Sequence, residues 1–164
     1  MGLIYVDTPL VVYAFESQTL FGERVRQAMA DAGEQQLAIS PLVKFECLAS
    51  PMRSGNLVLQ QYYEEGLARF MSLPMAEAVF VRAAQLRGRF GLKMADALHL
   101  ATAQQHGCDA LWTHDNRLAA ASHGLAVNVL FRTGGDALAK VMARLDAPAE
   151  PAVAPPAPQP MAAP

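Results

Sequence analysis

Residues 3–8 read LIYVDT, a short apolar run that ends in a carboxylate at Asp7. Four consecutive apolar residues predict a buried strand of a parallel sheet. In an open α/β sheet, functional side chains gather beyond the carboxyl ends of the strands. Asp is disfavoured inside strands and costly to bury without a partner. We therefore expect Asp7 at the functional edge of the sheet, although Asp7 or Thr8 could equally cap a helix that starts near Pro9.

Similar short apolar runs alternate with helical segments along the chain. Further strands are predicted at residues 36–39, 70–73, 110–113 and 126–130. A short helix or turn is predicted at residues 9–15, and helices at 20–32, 41–53, 57–68, 75–89, 94–103, 116–121 and 136–145. This alternation predicts an α/β fold with a mainly parallel five-stranded sheet flanked by helices.

The composition indicates one globular domain followed by a tail. The chain has 164 residues, of which 52% are apolar and 17% charged, enough to bury a core without disulfides or structural metals. Seven of its eleven prolines fall within residues 146–164, mixed with alanine. That composition favours extended chain and cannot form a core. We predict a domain over residues 1–145 and a Pro/Ala-rich disordered tail over residues 146–164.

Charge and cysteine content exclude several classes of function. The net charge is −2, and without the two acids of the tail the domain has 13 acidic and 13 basic residues. A neutral domain cannot recognise nucleic acid by bulk charge, so such binding would need a local patch. Cys47 and Cys108 are far apart and predict reduced, packed thiols. With no signal peptide and no run near the ~18 apolar residues of a membrane span, a soluble cytoplasmic protein is expected.

Four acidic residues occupy comparable places in the predicted fold. Asp7 and Asp115 follow the first and fourth strands, Asp96 begins a nearly all-apolar helix, and Glu46 lies within another. Parallel strands end at one edge, so Asp7 and Asp115 should share it, and a helix starting there would add Asp96. Clustered carboxylates repel one another unless a cation neutralises them, and an oxygen-only set selects Mg²⁺ or Mn²⁺. This chemistry suits phosphodiester hydrolysis. Helix caps and solvated helix faces are the ordinary alternatives for each acid.

Four segments together resemble PIN domains, and most closely the VapC-like ribonuclease toxins of bacterial toxin–antitoxin pairs. They are VDT at 6–8, SPL at 40–42 with Glu46, ADALHLATA at 95–103 and THD at 113–115. The resemblance covers about residues 2–131 and implies a PIN-like three-layer sandwich. It further implies a Mg²⁺- or Mn²⁺-dependent endoribonuclease that cleaves single-stranded or looped RNA. A homodimer is implied too, with a cognate antitoxin whose C-terminal segment fills the active-site groove.

The resemblance also assigns roles to individual acids. Asp7 and Asp96 resemble the main metal ligands. Asp115 resembles a further ligand, either direct or through water. Glu46 resembles the acid that orients or deprotonates the attacking water.

Three hydroxyl residues, Thr8, Ser40 and Thr113, resemble side chains that family members keep near the carboxylates, where they can hydrogen-bond them. Caps and strand ends explain the three equally well. One departure is Pro9, because family members often have Ser or Asn at this position. Proline removes an amide donor, which puts in doubt a contact made there but leaves the four acids intact.

A basic group precedes the apolar helix. Arg87, Arg89 and Lys93 lie just ahead of Asp96 and could contact RNA phosphates, with a solvated helix end as the alternative. His99 follows one turn after Asp96, and we expect a packed or hydrogen-bonded histidine rather than a metal ligand. Apolar surface on the helices between residues 20 and 70 would suit protein partners, with core burial as the alternative.

Two other functions share part of this sequence pattern. A phosphatase of the haloacid-dehalogenase type also begins with a strand ending in Asp. Its mechanism needs a second Asp two residues later, where Pro9 stands. The remaining alternative is a catalytically inactive PIN-like module that binds protein or RNA without cutting it.

Overall fold

The first predicted strand lies at the centre of an all-parallel sheet. The computed structural model describes residues 2–130. Its strands are β1 (Leu3–Val6), β2 (Gln36–Ile39), β3 (Met71–Ser72), β4 (Ala110–Trp112) and β5 (Ala126–Val127). They follow the spatial order β3-β2-β1-β4-β5, and every neighbouring pair is parallel. The predicted five-stranded parallel sheet is confirmed, and its fifth strand is shorter than expected.

Helices alternate with these strands, as the sequence predicted. They are α1 (Thr8–Glu16), α2 (Leu20–Ala30), α3 (Pro41–Ser54), α4 (Leu57–Leu67), α5 (Glu77–Phe90), α6 (Met94–Gln105) and α7 (Asn116–Ala121). Gly55 and Gly91 end α3 and α5 in left-handed backbone at φ 68° and 64°, a conformation that favours glycine. The predicted helix at 136–145, the domain boundary at 145 and the tail lie outside the described residues.

Strand order places the functional edge between β1 and β4. From β1 the chain crosses to β2 on one side, while β4 pairs with β1 on the other side. Such a reversal opens a crevice beyond the carboxyl ends of the two strands. The Asp7 amide donates to the Trp112 carbonyl at 3.0 Å, which extends the pairing by one residue. The segments that follow β1 and β4 therefore begin side by side.

Helix α6 is packed on several sides. Every residue from Ala97 to Ala103 is buried, and the helix contacts α3, α5, α7 and β4. Its burial matches the nearly all-apolar pattern of its sequence and fixes the position of its first turn. Among residues 2–130, no helix combines the length and apolar character needed to cross a membrane.

Candidate functional site

Asp7 joins the sheet edge to the start of α1. It is only 3% exposed and is the N-cap residue of that helix. One carboxylate oxygen, Oδ1, accepts the Thr8 amide at 2.8 Å, and Oδ2 accepts the Thr113 hydroxyl at 2.8 Å. Asp7 therefore both caps α1 and lies at the carboxyl end of β1, the two positions that the sequence suggested for it. The cap anchors the carboxylate at the carboxyl end of β1, and Thr113, just after β4, holds its other oxygen.

Glu46 reaches the same edge from the middle of α3. Its side chain is 28% exposed, and Oε2 accepts hydrogen bonds from the Thr8 hydroxyl and from His99 Nε2, the latter at 2.9 Å. Burial by itself would raise the pKa of Glu46. The hydrogen bonds from His99 and Thr8, with the charge His99 can carry, outweigh burial and lower the pKa below its ordinary value. Glu46 is therefore ionised at neutral pH.

Asp96 lies in the first turn of α6 and is destabilised as an anion. Burial, and then the negative charges of Asp115 and Asp7, raise the pKa of Asp96 above its ordinary value. The charges of His99 and Lys93 oppose this effect only in part. The three aspartates are thus close enough to repel one another, as the sequence predicted.

Asp115 is placed by the helix that follows it. As the N-cap of α7, its Oδ1 accepts the amides of Arg117 and Leu118 at 2.7 and 3.3 Å. Its own amide donates to the Thr113 hydroxyl at 3.1 Å. Since Thr113 also bonds Asp7, one hydroxyl connects the ends of β1 and β4.

Three of the predicted acids share one cavity of about 480 Å³. The cavity is lined by Asp7, Thr8, Pro9, Val12, Tyr13, Glu46, Asp96, His99 and His114. Asp7, Glu46 and Asp96 come from three separate elements, so the fold brings them together over long sequence distances. Asp115 does not line this cavity and acts on it through its charge.

The acids suit a hydrated ion better than a closed protein cage. Within residues 2–130, no three His, Cys, Asp or Glu side chains are arranged to hold one ion between them. Mg²⁺ commonly keeps several waters and is bound through only one or two carboxylates together with substrate phosphates. Repulsion at Asp96 would be relieved by a cation. The donor set therefore fits Mg²⁺ or Mn²⁺, with few direct protein ligands.

The other predicted site residues divide into two groups. Ser40 is fully buried at the N-cap of α3, but its hydroxyl bonds the Tyr5 hydroxyl at 2.6 Å instead of a helix amide. Arg87, Arg89 and Lys93 are exposed, and none of them lines the cavity. The Arg89 guanidinium stacks over Phe90 at 5.1 Å, and Lys93 is near enough to Asp96 to affect its pKa.

Two aromatic side chains and one histidine of the site were not predicted. Tyr5 lies two residues before Asp7 on β1, so the period of a strand places both on one face, a signal present in the sequence. Tyr13 lines the cavity, and its ring meets the His114 ring edge-on at 5.7 Å between centroids. His114 Nδ1 is buried, with no hydrogen-bond partner among the described residues. His99 is buried and hydrogen-bonded, as expected.

The geometry of the site agrees with the resemblance of the sequence to PIN domains. A family model of the PIN domain matches residues 4–124. A search of curated proteins gives no match. The toxin–antitoxin complex from Klebsiella pneumoniae has 26% identity and a TM-score of 0.63, over 79% of this chain and 98% of that chain.

Two further solved structures share the fold at lower identity. VapBC2 from Rickettsia felis, bound to a DNA fragment from its promoter, has 15% identity and a TM-score of 0.67 over 77% of this chain and 98% of that chain. VapC20 from Mycobacterium tuberculosis is described as a sarcin-ricin loop cleaving toxin. It has 15% identity and a TM-score of 0.61, over 72% of this chain and 94% of that chain. The family match spans well over half of the sequence. The chain belongs to the PIN domain family, with a fold like that of VapC toxins.

Proposed function

We propose that this chain is a Mg²⁺- or Mn²⁺-dependent endoribonuclease and the toxin of a toxin–antitoxin pair. The observation that carries the proposal is the convergence of Asp7, Glu46 and Asp96 on one cavity. Membership of the PIN domain family supports nuclease activity. The likeness to VapC20, described as a sarcin-ricin loop cleaving toxin, supports RNA as the substrate.

Asp7 and Asp96 would hold the ion, with Asp115 as a further ligand, direct or through water. Asp7 is held by the Thr8 amide and the Thr113 hydroxyl, so its orientation is set before an ion binds. Bound there, a hard divalent ion supplies Lewis-acid stabilisation of the phosphate oxygens and lowers the pKa of water.

Glu46 is the proposed general base. Among the described residues, both of its hydrogen bonds end on Oε2, which leaves Oε1 to accept a proton. Its lowered pKa keeps it ionised at neutral pH. Glu46 takes the proton from the attacking water as the new O–P bond forms and the bond to the leaving ribose oxygen breaks.

Basic and hydroxyl side chains around the cavity complete the proposal. Lys93 is the nearest candidate for a phosphate contact because its charge already acts on Asp96. Arg87 and Arg89 extend the basic surface along the last turn of α5. We assign Thr8 and Thr113 to positioning the carboxylates that they bond, with Ser40 acting through Tyr5.

A cognate antitoxin and a second copy of the chain are the proposed protein partners in the cytoplasm. The Klebsiella pneumoniae neighbour is a toxin–antitoxin complex, which supports a partner of that kind. Large apolar side chains are exposed on α2, α3 and α4, as the sequence allowed. They are Leu20, Phe21, Phe45, Met52, Leu57, Val58 and Tyr62. Such a surface suits partner binding.

RNA cleavage by the purified full chain tests the nuclease proposal. With Mn²⁺ and a mixed RNA pool, we expect cleavage that EDTA abolishes. Asp7→Asn and Asp96→Asn should abolish it in proteins whose circular dichroism is unchanged. Asp31→Asn, which removes an exposed carboxylate at the end of α2, should cleave normally. Cleavage that persists in both site variants would refute the assignment, and RNA binding without cleavage would favour the inactive module.

Expression in cells tests the toxin proposal. Brief induction should slow growth and leave new RNA ends, and sequencing those ends would identify the target. Co-expression of a small protein encoded just upstream should restore growth. Normal growth during strong induction of the intact chain would count against a toxin.

A further inference from the structure

A buried chain of hydrogen bonds leads from the core to Glu46. His99 is 2% exposed on α6, with Nε2 at 2.9 Å from Glu46 Oε2 and 3.5 Å from Asp7 Oδ1. On the other side of the ring, Nδ1 lies 2.8 Å from the Tyr5 hydroxyl. That hydroxyl lies 2.6 Å from the Ser40 hydroxyl. These contacts join β1, α3, α6 and the end of β2 in one network.

For a ring that carries a single proton, the partners determine which of the two nitrogens holds it. An ionised carboxylate only accepts hydrogen bonds, so Nε2 carries the hydrogen that Glu46 receives. Nδ1 of the neutral ring is then an acceptor, and the Tyr5 hydroxyl donates to it. The Tyr5 oxygen in turn accepts from Ser40. Burial raises the pKa of Tyr5 far above its ordinary value, so the phenol keeps its proton.

We propose that Ser40, Tyr5 and His99 form a positioning chain that holds Glu46 in the orientation needed to act as the base. The inference rests on the nuclease function proposed above and adds residues that do not touch the substrate. Glu46 is a partly exposed side chain on a helix, and a free Glu there loses considerable rotamer freedom when it is fixed. The bond from His99 fixes Oε2, and the bond from Tyr5 fixes the ring and its tautomer.

His99 is suited to this task by its immobility. Its ring contacts the Tyr5 ring at 5.8 Å between centroids, and the helix around it is buried from residue 97 to residue 103. Groups that orient metal ligands from behind typically contribute about 10–100-fold to affinity or activity, and we expect an effect of the same order for a group that orients the base. A histidine serving only to fill space would contribute to folding but would not orient Glu46.

Substitutions of His99 by side chains of different length test the positioning chain. His99→Gln extends an amide N–H toward the position of Nε2, whereas His99→Asn reaches only as far as Nδ1. With the full chain, Mn²⁺ and a defined RNA, we expect His99→Asn to lower kcat about 10–100-fold with little change in KM. His99→Gln should recover most of that loss. Tyr5→Phe keeps the ring but removes the donor to Nδ1, and should give an intermediate kcat.

A spectroscopic measurement on the metal-free protein provides a second readout. Long-range ¹H–¹⁵N correlation of the histidine rings, assigned by the signal lost in His99→Gln, should show a hydrogen on Nε2, the atom that donates to Glu46. A ring with hydrogen on Nδ1 alone, or equal kcat in all three variants and the parent chain, would overturn the positioning chain. If the parent chain cleaves RNA and Asp96→Asn does not, the nuclease proposal stands. Either of the two results just named would then overturn the positioning chain alone. Absence of cleavage by the parent chain would overturn the nuclease proposal and this inference together.

Discussion

Asp96→Asn is expected to stabilise the metal-free protein. The raised pKa of Asp96, caused by burial and by the charges of Asp115 and Asp7, means that the folded state disfavours its ionised form. Removing the charge removes that cost. Because Asp96 is only partly buried, solvent screening limits the gain to about 0.5–1 kcal/mol. For a domain of this size, that is a rise in Tm of about 2–4 °C.

The stability gained by Asp96→Asn should increase as the pH rises. Below the pKa of the unfolded chain, Asp96 is protonated in both states and its charge costs nothing. The cost develops as the pH rises and is complete above the raised folded pKa. Thermal melts in EDTA should therefore show the variant more stable at pH 7 and equal to the parent chain near pH 3. Glu77→Gln is the matched control, since Glu77 is an exposed acid in the first turn of α5. Its loss should leave Tm unchanged or slightly lower.

Added Mn²⁺ should reverse the order of the two proteins. An ion at one hundred times its dissociation constant stabilises the folded chain by about 2.7 kcal/mol, and a tenfold weaker site loses about half of that. Asp96→Asn should therefore show a clearly smaller metal-induced rise in Tm. An equal rise in both proteins, or a lower Tm of Asp96→Asn in EDTA at pH 7, would refute the reasoning about this cluster.

Three further substitutions, one at the site and two on helices away from it, test individual contacts by urea denaturation. Thr113→Val removes the donor to Asp7 Oδ2 and should cost about 1.5–3 kcal/mol, and no loss would refute that bond. Gly66→Ala would place Cβ 2.0 Å from Cε1 of Phe15, so we expect a loss of about 1–3 kcal/mol despite the better helix propensity of alanine. Gly88→Ala, with open space around its Cβ, should instead gain about 0.5–1 kcal/mol, and equal effects at the two glycines would contradict the packing.

The fold could be predicted because its signals are local. Strands β1 and β4 are short apolar runs followed closely by a polar residue, and Gly55 and Gly91 mark helix ends directly. The convergence of the aspartates also followed from a simple rule, since Asp7 and Asp115 come after parallel strands. That rule works because neighbouring parallel strands end at a common edge.

The hydrogen-bond network could not be predicted, because it depends on side chains that are distant in sequence. Tyr5 and His99 are 94 residues apart, and their contact requires the register of β1 against β4 and the packing of α6. Ser40 shows the same limit. Its place at the start of α3 was predicted correctly, but its hydroxyl bonds the Tyr5 hydroxyl and makes no bond to a helix amide.

The brevity of β3 determines how a protein partner can attach at that side of the molecule. Its two residues, Met71 and Ser72, form the outer strand next to β2. At about 3.3 Å per residue, two residues offer less than 7 Å of backbone to an incoming strand. So short an edge is a poor template for β-augmentation and discourages edge-to-edge pairing with the sheet of another molecule. We expect association on this side to use side chains presented by the neighbouring helices.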